Sequence, residues 1–166
     1  MTTLAQDEEL IKRLENDLVQ KVTRSINSHP TMSMRAFGVF SLDQLEDLLE
    51  TDLGGNIGVG VAYFGAQAVT KDRPLNPDRS SAVKTLSFTF VVALAVPAKP
   101  ETEERHDATT MLTVIRNAIL GKPVEGDRIQ RTWDFVREGP EISASTDTML
   151  YYSQVWQVAM QAIGTA

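Results

Sequence analysis

Ile11, Leu14, Leu18, Val22 and Ile26 recur at spacings of three and four, which draws one apolar stripe down a helix. The helix is predicted to begin near Asp7, where Asp7, Glu8 and Glu9 would suit the positive end of its dipole. Ser28-His29-Pro30 ends it, because proline disfavours helical geometry in the residue before it. A short strand is expected around 33–40. A second helix follows over 42–52. Leu42, Leu45, Leu48 and Leu49 share a face, Ser41 and Gln44 have the spacing of a capping box, and Gly54 or Gly55 can supply the left-handed end.

The period then changes to two. Ile57, Val59, Val61 and Tyr63 alternate with Gly58, Gly60, Ala62 and Phe64, a strand with one nearly bare face. In KTLSFTFVVALAV (84–96), Leu86, Phe88, Phe90, Val92, Leu94 and Val96 point one way, while Thr85, Ser87, Thr89, Val91, Ala93 and Ala95 point the other. The polar stretch between Gly65 and Val83 contains two prolines and reads as a loop, longer than the ~12 residues usual in a compact domain. It carries Lys71, Arg73 and Arg79, which makes it a candidate contact arm.

Ala108, Met111, Leu112, Ile115 and Ile119 define a helix over 101–120, closed by Gly121 and Pro123. A strand is expected over 128–137, with Ile129, Trp133 and Phe135 sharing a face with Arg131. The segment 148–162 fits two templates. As a strand it places Leu150, Tyr152, Trp156, Val158 and Met160 on one face; as a helix it spaces Met149, Tyr152, Trp156 and Met160. The strand is preferred because it gives 128–137 a partner. The expected order is α-β-α-β-β-α-β-β over 1–166. That is an α+β single domain with a mostly antiparallel sheet of about four or five strands flanked by helices, and a long polar loop at about 65–83.

Composition narrows the chemistry. The 166 residues suit one compact domain, and with no cysteine there are no disulfides, thiolate nucleophiles or cysteine-ligated zinc. Sixteen basic against 22 acidic residues give a net charge of -6, with no dense basic cluster to hold nucleic acid. The longest apolar run, Phe90 to Ala98, is far shorter than the roughly 20 residues of a membrane helix. The first residues are acidic and periodic, unlike a secretory signal. A soluble, mildly acidic protein is expected.

Candidate active-site motifs fall short. GGNIGVGVAYFG (54–65) has the glycines of a phosphate loop, but Tyr63 stands where a dinucleotide fingerprint needs glycine, and a helix precedes the glycines where a strand should. Glycine weakens a strand unless something approaches closely, so Gly58 and Gly60 are candidates for packing within the fold or against another subunit. His106-Asp107 with His29 suggests a metal-dependent hydrolase of the HD type, but only two histidines exist and that class is helical. No G-x-S-x-G elbow occurs, and Gly121-Lys122-Pro123 lacks the features of a P-loop. The acidic face of the first helix, with Glu8, Glu9, Glu15 and Asp17, reads as solvated. No nucleophile, base and oxyanion donor assemble, so neither catalysis nor a cofactor or metal is expected.

Several segments carry a family resemblance: DEELIKRLENDLVQKV, SLDQLEDLLE, IGVGVAYFGAQAV, KTLSFTFVVALAV, HDATTMLTVIRNAILG, DRIQRTWDFVRE and YYSQVWQVAMQA. In order and texture, over roughly 7–162, the chain resembles the tail terminator (tail completion) proteins of long-tailed bacteriophages, in particular the Mu-like prophage tail protein family. The loop TKDRPLNPDRSS is long for that family.

The resemblance implies a structural virion protein that forms a homo-hexameric ring on the head-proximal end of the tail, after assembly in the host cytoplasm. Its implied partners are the tail tube protein, a head-neck connector or stopper protein and, if the tail contracts, the sheath protein. DNA would meet it only as the transiting genome, and no membrane is involved. Ring formation needs a heterologous interface that closes, for which Gly58, Gly60, Lys71, Arg73 and Arg79 are the candidate residues. A neck or stopper protein of the same pathway, or a small α+β ligand-sensing module binding a metabolite at a sheet face, are the alternatives.

Overall fold

The computed structural model describes residues 2–28, 36–38, 58–69, 83–97, 102–140 and 149–163. They form α1 (Thr2–Ser28), β1 (Ala36–Gly38), β2 (Gly58–Ala68), β3 (Val83–Pro97), α2 (Thr102–Ile119), β4 (Asp134–Pro140) and β5 (Met149–Ile163). The fold is α+β: a sheet in the order β1-β2-β3-β5-β4 with α1 and α2 packed on one face. β2, β3, β5 and β4 pair antiparallel, and the short β1 adds in parallel to β2. The helix expected over 42–52, His29, Lys71, Arg73 and Arg79 lie outside the described residues.

The two sequence periods meet in one core. Leu14, Leu18, Val22 and Ile26 of α1 and Met111, Ile115 and Ile119 of α2 lie against Phe88, Phe90, Val92 and Leu94 of β3 and Trp156, Val158 and Met160 of β5. β3 and β5 run side by side over their whole length, from Val83 opposite Ile163 to Pro97 opposite Met149. Residues 149–163 are therefore a strand. The register puts Phe90 beside Trp156 and Leu94 beside Tyr152, which fixes both side-chain sets on the helix side.

The other face is built from small residues at one end. Gly58 stands opposite Ala95 and Ala95 opposite Tyr151; one step on, Gly60 stands opposite Ala93 and Ala93 opposite Ser153. All six residues are buried. At the other end β2 emerges into solvent, and a bulge between Tyr63 and Gly65 leaves Phe64 67% exposed.

Three elements differ from expectation. β2 runs on to Ala68, paired with Leu86, where the loop was expected from about 65, because the bulge at Phe64 lets the ladder resume. α1 begins at Thr2, so Asp7–Glu9 lie beyond its first turn, which carries no acidic residue. Nothing in Thr2–Gln6 opposes a helix, and the stripe alone could not locate the start. The strand expected over 128–137 begins only at Asp134. Asp127 folds the preceding residues: its carboxylate accepts from the backbone N–H of Arg131 (2.8 Å) and Ile129 (3.4 Å), and its carbonyl accepts from that of Gln130 (3.1 Å). Gln130 takes a left-handed φ of 56°. The bonds Val124 N–H to Arg131 O and Trp133 N–H to Lys122 O close a small hairpin over 122–133. Ile129 therefore leaves the expected face and is exposed at the turn, while Arg131, Trp133 and Phe135 do share the helix side of the sheet: Arg131 reaches Met160 Sδ (3.7 Å), the buried Trp133 meets Phe90, and Phe135 meets Trp156.

Candidate functional site

The hairpin over 122–133 is anchored from beneath by Asp17. This carboxylate is 6% exposed and occupies the face of α1 that turns toward the hairpin. It accepts from Lys21 Nζ (2.6 Å), Trp133 Nε1 (2.8 Å) and the backbone N–H of Glu125 (3.1 Å). A buried charge is tolerable only when paired and hydrogen-bonded, and all three donors supply that here. Trp133 also sets its ring edge-on to Phe90, centroids 5.6 Å apart, which joins the anchor to the sheet. Asp17 is therefore no part of a solvated acidic face. The available signal was its position: Asp17 and Lys21 each precede a stripe residue, Leu18 and Val22, and so flank the buried stripe.

A second buried network fixes β4. Gln154, fully buried on β5, donates through Nε2 to the carbonyl of Leu112 (2.8 Å) and to Glu138 Oε1 (2.7 Å). Its Oε1 accepts from Trp156 Nε1 at 3.2 Å. Glu138 accepts in turn from Arg116 Nη1 of α2 at 2.9 Å. The edge strand is thereby tied to α2 and β5 through side chains as well as through its ladder.

So held, the segment from Leu120 to Val136 presents apolar surface. Leu120 (51% exposed), Ile129 (66%), Phe135 (36%) and Val136 (46%) all lie on it. Phe135 leans edge-on against Trp156, centroids 5.2 Å apart. The other exposed large apolar side chain among the described residues is Phe64, on β2.

Between the C-terminal half of α1 and the hairpin runs an open groove of about 580 Å³, lined in part by Lys21, Arg24, Ser25, Lys122, Pro123 and Glu125. Of its cations only Lys122 lies just beyond a helix C-terminus, that of α2, where positive charge complements the dipole; the last turn of α1 carries no basic residue. Lys21 is taken up by Asp17, and Arg24 approaches Glu125 at 3.8 Å. The groove is thus lined by charges largely answered within the chain. On the same helix, burial pushes the Glu15 carboxyl above its ordinary value.

Of the residues singled out from the sequence, Gly58 and Gly60 are buried in β2, and His106 and Asp107 fall within α2. The described residues hold no group of three or more His, Asp or Glu that could bind a metal ion. No described helix is long and apolar enough to cross a membrane.

No family model matches the chain, and no curated protein matches it. Among solved structures, the chain is similar to the sheath/tube terminator of the extracellular contractile injection system PVC in its extended state, seen by cryo-EM. The TM-score is 0.42 at 10% identity, over 90% of this chain and 60% of that one. The chain thus spans about 60% of the length of the structure it matches.

Proposed function

We propose that this chain is a structural assembly protein of a phage tail. It caps the head-proximal end of the tail tube as a hexameric ring, ends polymerisation of the tube, and offers a joining surface to the neck. In a contractile tail it also meets the last sheath ring. Its work is surface complementarity without turnover.

The observation that carries this reading is the order of elements. The resemblance to Mu-like tail terminators rests on the amphipathic opening helix, the leucine-rich segment 41–50, the glycine-alternating strand, the long strand, the helix 102–119 and the closing strand pair. The segment 41–50 lies outside the described residues; the others belong in the fold to one sheet and its helical cover. The exposed apolar surface also lies on strand edges and the rigidly anchored hairpin. Such a preformed surface suits docking between rigid bodies.

The test is mass measurement in solution together with negative-stain images of the purified protein mixed with tail tubes. Ring-shaped particles seated on one end of each tube are expected. A strict monomer that never binds tube ends would sink the reading.

A further inference from the structure

We propose that copies of this chain associate head to tail, with the Phe64 edge of one sheet set against the Phe135–Val136 edge of the next. The inference rests on the ring reading above and names the surfaces that would build the ring.

The two edges lie on opposite sides of the molecule. β2 and β4 are separated by β3 and β5, three strand spacings or about 14 Å. Beyond Val61, where β1 ends its pairing, residues 64–68 have no described strand on their outer side; nor does β4. Each edge carries a bulge, and each bulge presents a large apolar side chain. Phe64 is the extra residue between Tyr63 and Gly65, and Val136 the extra residue between Phe135 and Arg137. A bulge interrupts the row of backbone donors and acceptors, which discourages indiscriminate strand addition. Contact at these edges is therefore made chiefly by side chains.

The occupant follows from the distribution of apolar surface. Among the described residues, four of the five exposed large apolar side chains lie on Leu120–Val136 and the fifth is Phe64. A two-fold dimer would cover one patch twice and leave the other wet. A head-to-tail contact covers both with a single kind of interface. Repeated, it closes into a ring or runs on as a filament. Residues 64–68 (FGAQA) carry no charge, so Asp134 and Arg137 on the facing edge meet no like charge there. The β4 edge is also preformed, because Gln154, Glu138 and Arg116 hold it before any neighbour arrives.

The absence of cysteine makes the test clean. Phe64→Cys and Val136→Cys are made singly and together, assembled with tail tubes, and treated with a short thiol-thiol cross-linker. Neither single variant should cross-link alone; their mixture should stop at linked dimers; the double variant should run on to closed oligomers. Cross-linking of either single variant alone would mean a two-fold contact and overturn the proposal. Rings that form without any 64–136 cross-link would overturn it while leaving the ring reading standing. A monomer that never meets a tube end would end both. As a second readout, Phe64→Glu should keep its melting temperature and lose ring formation; rings that persist in this variant would also overturn the proposal.

Discussion

The indole N–H of Trp133 donates to Asp17 Oδ2 at 2.8 Å, a bond between residues 116 apart in the chain. One hydrogen bond thus joins the first helix to the hairpin that leads into the edge strand. Lys21 neutralises the same carboxylate, so helix, hairpin and sheet share one buried charge pair.

Asp17→Ala should destabilise the chain by about 3 kcal/mol, the low end for breaking a buried pair, because Lys21 keeps some contact with water. Chemical denaturation measures the loss. Adding Lys21→Met should recover part of the loss, since it removes the orphaned ammonium.

Gln154→Leu should cost about 2 kcal/mol, because it leaves Trp156 Nε1 without its acceptor in a buried site. It should also loosen β4, which hydrogen exchange at residues 134–138 would report. Exchange there as slow as in the unaltered chain would mean that the ladder alone holds the strand.

Gly121 ends α2 with φ at 69°, and a Cβ built there meets nothing within 4 Å. The cost of Gly121→Ala is therefore purely conformational, about 1 kcal/mol. Thermal unfolding should show a small drop with no change in assembly.

Burial raises the Glu15 carboxyl above its ordinary 4.5, so the folded chain holds that proton more tightly than the unfolded chain. The associated stability is fully present below the unfolded value and is lost as pH rises through the folded value. Glu15→Gln should remove that loss. The variant should match the unaltered chain well below pH 4.5 and exceed it at neutral pH. Parallel stability curves across that window would show that Glu15 is not the group responsible.

Gly60→Val should cost about 1–3 kcal/mol, since Gly60 is buried opposite Ala93 and an added side chain overfills the site. Gln67→Val, on the exposed end of the same strand, serves as the control and should be nearly neutral. Equal stability of the two variants would show that the bare face has room to spare.

Much of this architecture was legible because its elements repeat a single period over many residues. The stripe Leu14–Ile26 and the alternation Leu86–Val96 allow only a helix and a strand, and both lie in the core as expected. The segment 149–163 fitted two periods at once. Pairing with β3 over its whole length decided for the strand. The hairpin was missed because the side chain of Asp127 captures backbone N–H groups that a strand would have offered to a neighbour. Such local competition leaves no mark in hydrophobic periodicity.

By itself, the sequence determined the α+β class, the buried stripes and the bare face of β2, because burial follows from where apolar and small residues recur. Only the tertiary structure decided what the polar residues do. Asp17, Gln154 and Glu138 look like ordinary surface groups in the chain. Burial obliges each to find partners, and those partners lie on other elements, brought within reach only by packing. The same packing decided which apolar residues stay outside. Phe64 and Val136 are set in solvent by bulges, a matter of strand register that no single strand's sequence contains.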